Sequence, residues 1–199
     1  MKKYKIVGLT GQSGAGKSTV AGFIESESVC VISADLLVKQ IYDSNAACVR
    51  SLAAAFGGDI LDGSRMINRR LLAQRAFSSK ENTRLLNSLV HPFVIAEFLK
   101  ECKNAADNGV EMVVFDASQL FESNADVICD MVVSVTTDAQ ARIERICKRD
   151  GISPEQAQMR INAQLDEQFF KENSDYIIDN NGDIANVRMR VNEIFSNNR

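Results

Sequence analysis

The chain has 199 residues, of which 45% are hydrophobic and 25% charged, the balance of an ordinary globular protein of about one domain with some tens of residues to spare. Its net charge of -3 argues against a general nucleic-acid-binding surface, and its single histidine excludes a metal site with two histidine ligands. Five widely spaced cysteines without a C-x-x-C pair favour reduced thiols over a disulfide framework or a zinc site.

The first residues predict a strand rather than a targeting signal. Three lysines within the first five residues imitate the start of a signal peptide, but the apolar stretch that follows, Ile6–Leu9, is too short for its hydrophobic region. Nowhere do 18 apolar residues follow one another, so no membrane span is predicted. We therefore expect a cytoplasmic protein.

Short apolar runs alternate with longer helical patterns along most of the chain. The runs are rich in Val, Ile, Tyr and Phe, as expected of strands covered on both faces: Tyr4–Leu9, Val29–Ser33, Val110–Asp116, Met131–Thr136 and Asp175–Ile178. Helices are predicted at Lys17–Ser28, Asp138–Asp150, Ser153–Asn173 and Ile184–Ser196. This alternation predicts an α/β fold with a five-stranded parallel sheet flanked by helices.

One long segment, residues 36–108, interrupts the alternation. It contains only helical patterns: Leu36–Tyr42, Ala46–Phe56, Asn68–Phe77, Glu81–Leu89 and Phe93–Ala106. Pro92 is expected in the first turn of the last of these helices. A whole βαβ unit takes about 30 residues, so we interpret the segment as a helical insertion within a single domain of residues 1–199.

A phosphate-binding motif follows the first predicted strand. Residues Gly11–Ser18 match G-x-x-x-x-G-K-[ST], between a strand and a helix as the motif requires. Its glycines let successive backbone N–H groups point inward, Lys17 suits the β- and γ-phosphates, and the Ser18 hydroxyl suits Mg²⁺. The predicted nucleotide-binding residues are Gly11, Ser13, Gly14, Ala15, Gly16, Lys17, Ser18 and Thr19.

The rest of the chain favours a small-molecule kinase among proteins with this loop. A guanine-reading N-K-x-D segment is missing, because residues 180–183 read Asn-Asn-Gly-Asp, and the chain is too short for a motor or transport ATPase. Arg142, Arg145 and Arg149 recur at helical spacing and share one face. A surface of ion pairs and a phosphate-binding lid both fit this pattern; for Arg145 we favour contact with phosphate.

Two carboxylates stand at strand ends, where ligands of open α/β sheets bind. Asp35 follows the second strand and could orient an attacking hydroxyl and accept its proton, or cap the next helix. Asp116 ends the third strand and could hold Mg²⁺ through water, or be an ordinary turn residue. The sequence leaves both pairs of interpretations open.

An ordered set of segments resembles the dephospho-coenzyme A kinase family over nearly the whole chain. The segments are 8–21 around the loop, 31–35, Asn68–Leu72, Phe77, Leu89–Pro92, Leu120–Glu122, Arg145 with Arg149, Arg160–Gln164 and Asp175–Gly182. The chain departs from the family at Gln12-Ser13, where Gly-Ile is frequent, at Ser33, where Asp is frequent, and at Ser118-Gln119, which replaces Pro-Leu.

The resemblance implies a P-loop kinase fold and ATP-dependent phosphorylation of the ribose 3′-hydroxyl of dephospho-CoA, giving CoA and ADP. It implies a core of residues 1–35, 109–141 and 174–199, a CoA-binding insertion at 36–108 and a helical lid at 142–173. Asp35 would be the general base, with Lys17 and Arg145 on the transferred phosphoryl group. Further contacts are implied for Arg149, Asn181 and Gly182 with ATP, and for Arg69, Phe77 and His91 with the substrate.

Other functions remain compatible with the residues. A P-loop kinase of another small substrate, such as a nucleoside monophosphate or a sugar acid, would need the same loop. A non-catalytic nucleotide-binding switch would need neither Asp35 nor the arginines of the lid. With ATP and Mg²⁺ as cofactors and a small molecule as substrate, no nucleic-acid or membrane partner is expected, and the protein is predicted to be a monomer or a weak homo-oligomer.

Overall fold

The computed structural model describes residues 4–24 and 28–198. The chain divides into two compact units. The first combines the N-terminal segment up to Ile32 with everything from Asn104 onward, and the second is the continuous segment Ser33–Lys103.

The first unit is built on a sheet of five strands. They are β1 (Lys5–Gly11), β2 (Val29–Ser33), β3 (Met112–Asp116), β4 (Met131–Thr136) and β5 (Tyr176–Asp179), in the spatial order β2-β3-β1-β4-β5. β1 pairs in parallel with β3 and β4, and β4 pairs in parallel with β5. The predicted α/β fold with a five-stranded parallel sheet is confirmed.

Helices lie between the strands along the chain, and α1, α8 and α9 pack against strands of the sheet. They are α1 (Lys17–Ile24), α2 (Ala34–Ser44), α3 (Ala46–Phe56), α4 (Arg69–Ala76), α5 (Lys80–Asp107), α6 (Ala139–Asp150), α7 (Pro154–Asn162), α8 (Glu167–Asn173) and α9 (Ile184–Asn197). The predicted end of α1 at Ser28 lies beyond residues 25–27, which are outside the described residues. Within 4–24 and 28–198, no helix is long and apolar enough to cross a membrane.

Continuous apolar strands explain where the core of the first unit lies. Every residue of β4 is buried, as are Ile6–Gly11 of β1. Val191 and Ile194 of α9 and Val20 of α1 belong to the same apolar cluster as these strands. Strands covered by helices need apolar side chains on both faces, so this burial is what the uninterrupted apolar runs predicted.

The second unit is helical, as predicted for residues 36–108. Its described residues hold no strand beyond the end of β2, only an isolated antiparallel bridge between Leu61 and Ile67. Side-chain caps set two helix starts: Asn45 accepts from two backbone N–H groups of α3, and Asn68 accepts from Leu71 N of α4. These caps satisfy donors that the first helical turn leaves without partners.

The prediction of two helices on either side of Pro92 is wrong. A single helix, α5, runs through the proline. Its buried residues recur every fourth position on both sides of Pro92, at Leu86, Val90, Val94, Phe98 and Cys102. A proline inside a helix costs about 3 kcal/mol, but an apolar stripe that continues across it favours one helix, since burial of the stripe offsets that cost.

The single helix predicted at Ser153–Asn173 is also wrong, because the segment forms two helices. α7 starts with a capping box in which the Ser153 and Gln156 side chains each accept a backbone N–H of the other residue. α8 starts at its own cap, where Asp166 accepts a hydrogen bond from Phe169 N at 2.7 Å. The residues between the helices turn away from helical geometry and contact the phosphate loop instead.

Candidate functional site

The phosphate loop Gly11–Ser18 joins β1 to α1 in the first unit. Gly11, Gly14 and Gly16 have φ angles of 150°, 81° and 96°, in the region that favours glycine. A Cβ atom on Gly16 would lie 2.1 Å from Nδ2 of Asn180, and one on Gly11 would lie 2.4 Å from the Val135 carbonyl oxygen. Glycine is therefore required here both by backbone conformation and by close neighbours.

Lys17, the first residue of α1, forms an ion pair with Asp116. Its Nζ contacts Oδ1 of Asp116, and both side chains are largely buried. The strand register explains the contact, because Asp116 of β3 pairs with Leu9 of β1, two residues before the loop. Asp116 is thus tied to the loop through Lys17 and is more than an ordinary turn residue.

The loop offers few protein oxygens for a metal ion. Ser18 and Thr19 are exposed at the start of α1, and no group of three or more His, Cys, Asp or Glu residues that could hold a metal occurs among the described residues. Mg²⁺ usually keeps several waters and takes one or two protein ligands together with substrate phosphates. A hydroxyl at Ser18 with a carboxylate at Asp116 fits that kind of site.

Arg145 of α6 lies against the loop backbone. Its guanidinium donates to the carbonyl oxygens of Gly14 at 3.2 Å and Ala15 at 3.3 Å, and to that of Asn180 at 3.2 Å. The interaction is therefore mainly with backbone oxygens, and Arg145 forms no ion pair with the residues that the structure describes. A guanidinium held beside this loop carries positive charge to the place where phosphates would bind.

Asn180 links the end of β5 to the same loop and was not singled out from the sequence. The residue is 7% exposed, and its Nδ2 donates to the Ala15 carbonyl oxygen at 2.7 Å. Its own carbonyl oxygen accepts from the Thr137 hydroxyl at 2.7 Å. Its position directly after a predicted parallel strand was the signal that could have identified it.

Asn180→Ala is expected to lower the free energy of unfolding by about 0.5–1.5 kcal/mol, because the buried Ala15 carbonyl loses its 2.7 Å donor and keeps the longer hydrogen bond from Arg145. Chemical denaturation measures this change. Asn108→Ala is the matched control, since its amide donates to Asn104 O on an exposed helix end, and a change within about 0.5 kcal/mol is expected there. Equal losses in the two variants would contradict a bracing role for Asn180.

Arg149 belongs to a small ion cluster at the end of α6. Its Nε and one terminal nitrogen donate to the Asp150 carboxylate at 2.7 and 2.9 Å, and Arg160 of α7 donates to the same carboxylate. These hydrogen bonds hold the pKa of Asp150 well below its usual value, and the bond to Asp150 raises the pKa of Arg149. Arg149 also donates to the Ser13 hydroxyl at 3.4 Å, so it reaches the loop as well.

Arg142, the third arginine of this face, is buried rather than part of an exposed surface. It is 3% exposed, and burial lowers its pKa. Its guanidinium donates to Ser13 O at 3.0 Å, Gln12 Oε1 at 2.7 Å and Gln164 Oε1 at 3.1 Å. All three arginines of the face therefore contact the loop or its residues.

Asn181 and Gly182 form the turn after Asn180. The side chain of Asn181 accepts from Asp138 N at 2.7 Å, and its N–H donates to the Asp179 carboxylate at 2.9 Å. These bonds fix the turn between β5 and α9 beside the start of α6. Contact of Asn181 and Gly182 with a nucleotide stays a prediction.

Asp35 lies in the second unit, in the first turn of α2. The N-cap of that helix is Ser33, so the interpretation of Asp35 as the cap is wrong. Asp35 is exposed, and its carboxylate makes no hydrogen bond or ion pair with any described residue. A carboxylate in the first helical turn is favoured by the helix dipole, and it is available to a ligand.

The other residues predicted to bind substrate also lie in the second unit. Arg69, at the start of α4, donates to Asp43 Oδ1 at 2.7 Å and to Lys39 O at 3.3 Å. Phe77 is 65% exposed at the end of α4. His91 lies within α5 rather than at a helix start, contrary to the sequence interpretation.

A model of the family described as dephospho-CoA kinase matches residues 5–186 of this chain. The chain belongs to the dephospho-CoA kinase family. The match includes the phosphate loop, the three arginines of α6 and Asn180, as well as the whole second unit. The resemblance proposed from the ordered sequence segments is thereby confirmed.

Individual relatives agree with this membership. The chain is 33% identical to a dephospho-CoA kinase of Corynebacterium glutamicum over 96% of its own length and 95% of that protein. The solved dephospho-CoA kinase of Campylobacter jejuni matches with a TM-score of 0.70 at 26% identity, covering 98% of each chain. A shikimate kinase of Acinetobacter baumannii, 15% identical with a TM-score of 0.56, shares the fold.

Proposed function

We propose that this protein is a cytoplasmic enzyme that transfers the γ-phosphoryl group of ATP to the ribose 3′-hydroxyl of dephospho-CoA, giving CoA and ADP. The observation that carries the proposal is the convergence of Lys17 and Arg145 on a glycine-rich phosphate loop in a chain of this family. Loop, lysine and arginine together supply the positive charge that phosphoryl transfer requires.

The loop would bind the β- and γ-phosphates. Glycine backbone at Gly14 and Gly16 turns N–H groups inward, and α1 adds the positive end of its dipole at the same place. The Lys17 ammonium, now paired with Asp116, would exchange that carboxylate for phosphate oxygens. Arg145 would stabilise the charge that develops on the transferred group.

Asp35 would orient the substrate hydroxyl and accept its proton. The hydroxyl oxygen attacks the γ-phosphorus, the bond from phosphorus to the β-γ bridging oxygen breaks, and ADP leaves with the electron pair. The exposure of Asp35 and its lack of a hydrogen-bond or ion-pair partner among the described residues support this role, because a base must be able to reach its substrate. Asp35 also follows the carboxyl end of β2, where such sheets bind ligands.

Magnesium would be held by the Ser18 hydroxyl, with Asp116 acting through water. When bound, the ion neutralises charge on the phosphate oxygens. Before the nucleotide binds, Asp116 would also hold the Lys17 ammonium beside the loop through their ion pair.

The second unit would bind the substrate. Arg69 offers a guanidinium whose present partners are an exposed carboxylate and a backbone oxygen, both replaceable by an anionic substrate. Phe77 presents an exposed aromatic face that suits apolar or base contacts. His91 would be a contact residue and not the base.

The decisive experiment measures ADP release with Mg-ATP and a panel of acceptors. We expect rapid turnover with dephospho-CoA and little with nucleoside monophosphates or a sugar acid such as shikimate. Preferred turnover of another acceptor would indicate a P-loop kinase of different specificity. Tight ATP binding with no turnover of any acceptor would contradict the proposal and favour a nucleotide-binding switch.

A further inference from the structure

The guanidinium of Arg142 is a buried cation that has no carboxylate partner among residues 4–24 and 28–198. Its three nitrogens each donate to a neutral oxygen, two of them side-chain amides and one the Ser13 backbone. Glu167 is the acidic residue that acts on its charge, but it forms no ion pair with Arg142 and is itself paired with Lys171 at 2.6 Å. The positive charge at the loop is therefore satisfied by hydrogen bonds to neutral oxygens and is not neutralised by a paired carboxylate.

Gln12 is the loop residue that makes this arrangement possible. It is 5% exposed, accepts from Arg142 through Oε1, and donates through Nε2 to the Leu165 carbonyl oxygen at 2.8 Å. One side chain therefore joins the phosphate loop both to α6 and to the segment between α7 and α8. This is also the position at which the chain departs from the glycine frequent in the family.

Gln164 completes the network from the other side. Its Oε1 accepts both from Arg142 and from the Ser13 N–H at 3.0 Å. Backbone packing adds to the contact, since a Cβ atom on Gly14 would lie 2.9 Å from the Arg142 carbonyl oxygen. The position of Arg142 is thus fixed by neutral groups on two sides and by the loop itself.

We propose that Gln12 and Gln164 are positioning residues that hold Arg142 as an unneutralised cation against the phosphate loop, so that its field strengthens binding of the nucleotide phosphates without direct contact. A cation in a partly desolvated position acts over several ångströms. Neutral acceptors keep that field, whereas a carboxylate in their place would cancel it. The inference rests on the proposed binding of ATP at this loop.

Gln164→Glu tests the electrostatic effect of Arg142 directly. The glutamate carboxylate still accepts hydrogen bonds from Arg142 and from the Ser13 N–H, but it adds a negative charge beside the guanidinium. We expect the dissociation constant of ADP, measured by calorimetry at low salt, to rise about three- to tenfold. In the kinase assay the KM for ATP should rise in the same proportion, and the KM for dephospho-CoA should stay within twofold. Both effects should shrink at high salt.

A second variant and a control separate charge from structure. Gln12→Ala removes contacts to both Arg142 and Leu165, so it should weaken ADP binding and lower the melting temperature. Gln164→Glu should also weaken ADP binding, but its melting temperature should be unchanged or higher. Gln158→Glu adds the same charge on α7, where Gln158 is half-buried and donates a hydrogen bond to Asn162, and should leave ADP binding unchanged. Unchanged ADP affinity in Gln164→Glu, or an equal loss in Gln158→Glu, would overturn the inference. Because ADP binding needs no acceptor substrate, its result stands apart from a failure to phosphorylate dephospho-CoA.

Discussion

Asp35→Asn is expected to lower kcat by roughly 10²- to 10⁴-fold, the range for loss of a general base. Asparagine keeps the size of the side chain and can still contact the substrate hydroxyl, but it cannot accept the proton. The KM values for ATP and dephospho-CoA should change much less than kcat. Steady-state kinetics with both substrates varied measures this split.

The control for Asp35→Asn must remove a carboxylate from a similar place without touching the chemistry. Glu81 is such a residue, since it lies in the first turn of α5 in the same unit. Glu81→Gln removes a favourable interaction with the helix dipole, as Asp35→Asn also does, and should leave kcat unchanged. A kcat for Asp35→Asn within threefold of the parent protein would show that Asp35 serves only the helix.

Lys17→Met is expected to lower kcat/KM for ATP by about 10²- to 10³-fold, the effect of losing one preorganised charged donor. The change also leaves the largely buried Asp116 without its partner. Removing one member of a hydrogen-bonded charged pair costs about 1–3 kcal/mol or more of stability. Kinetics and denaturation should therefore both respond.

The double variant Lys17→Met/Asp116→Asn separates the two effects. Replacing the carboxylate by a neutral amide removes the unpaired charge, so much of the lost unfolding free energy should return. The kinetic defect should remain, because no ammonium reaches the phosphates. If kcat/KM recovered together with stability, Lys17 would act only as the partner of Asp116.

Local sequence patterns were sufficient to predict those elements whose structure depends mainly on their own residues. The glycine pattern of the phosphate loop, the apolar strands and the long helical segment each carry their signal within a short stretch, and all were found. The same rules gave the wrong helix boundaries at two places. At Pro92 the apolar stripe continues on both sides and the segment is one helix. Between Asn162 and Glu167 a predicted single helix is two helices, each with its own N-cap.

The candidate site divides in the same way. Lys17 and Ser18 were predicted from the loop motif, Asp35 from its position after a strand, and Arg145 from its place in the helix after β4; their roles in the reaction stay predictions. The contacts made by the amides of Gln12, Asn180 and Gln164 were not predicted. The position of Asn180 after a strand was the available signal for that residue, whereas nothing local in the sequence indicates the partners of Gln12 and Gln164. Their partners are distant along the chain: Asn180 contacts Ala15, and Gln12 contacts Arg142.

The sequence by itself determined the class of this protein. The phosphate loop, its flanking strand and helix, and the segments that resemble the family each consist of contiguous residues and can be recognised without the structure. Only the tertiary structure decided how the loop is braced and where its charges lie. Arg142, Arg145 and Arg149 look alike in sequence, yet one is buried among amides, one lies on loop carbonyls and one is paired with Asp150. The physical reason is that hydrogen bonds and burial depend on which distant segments the sheet brings together, and no local pattern records that.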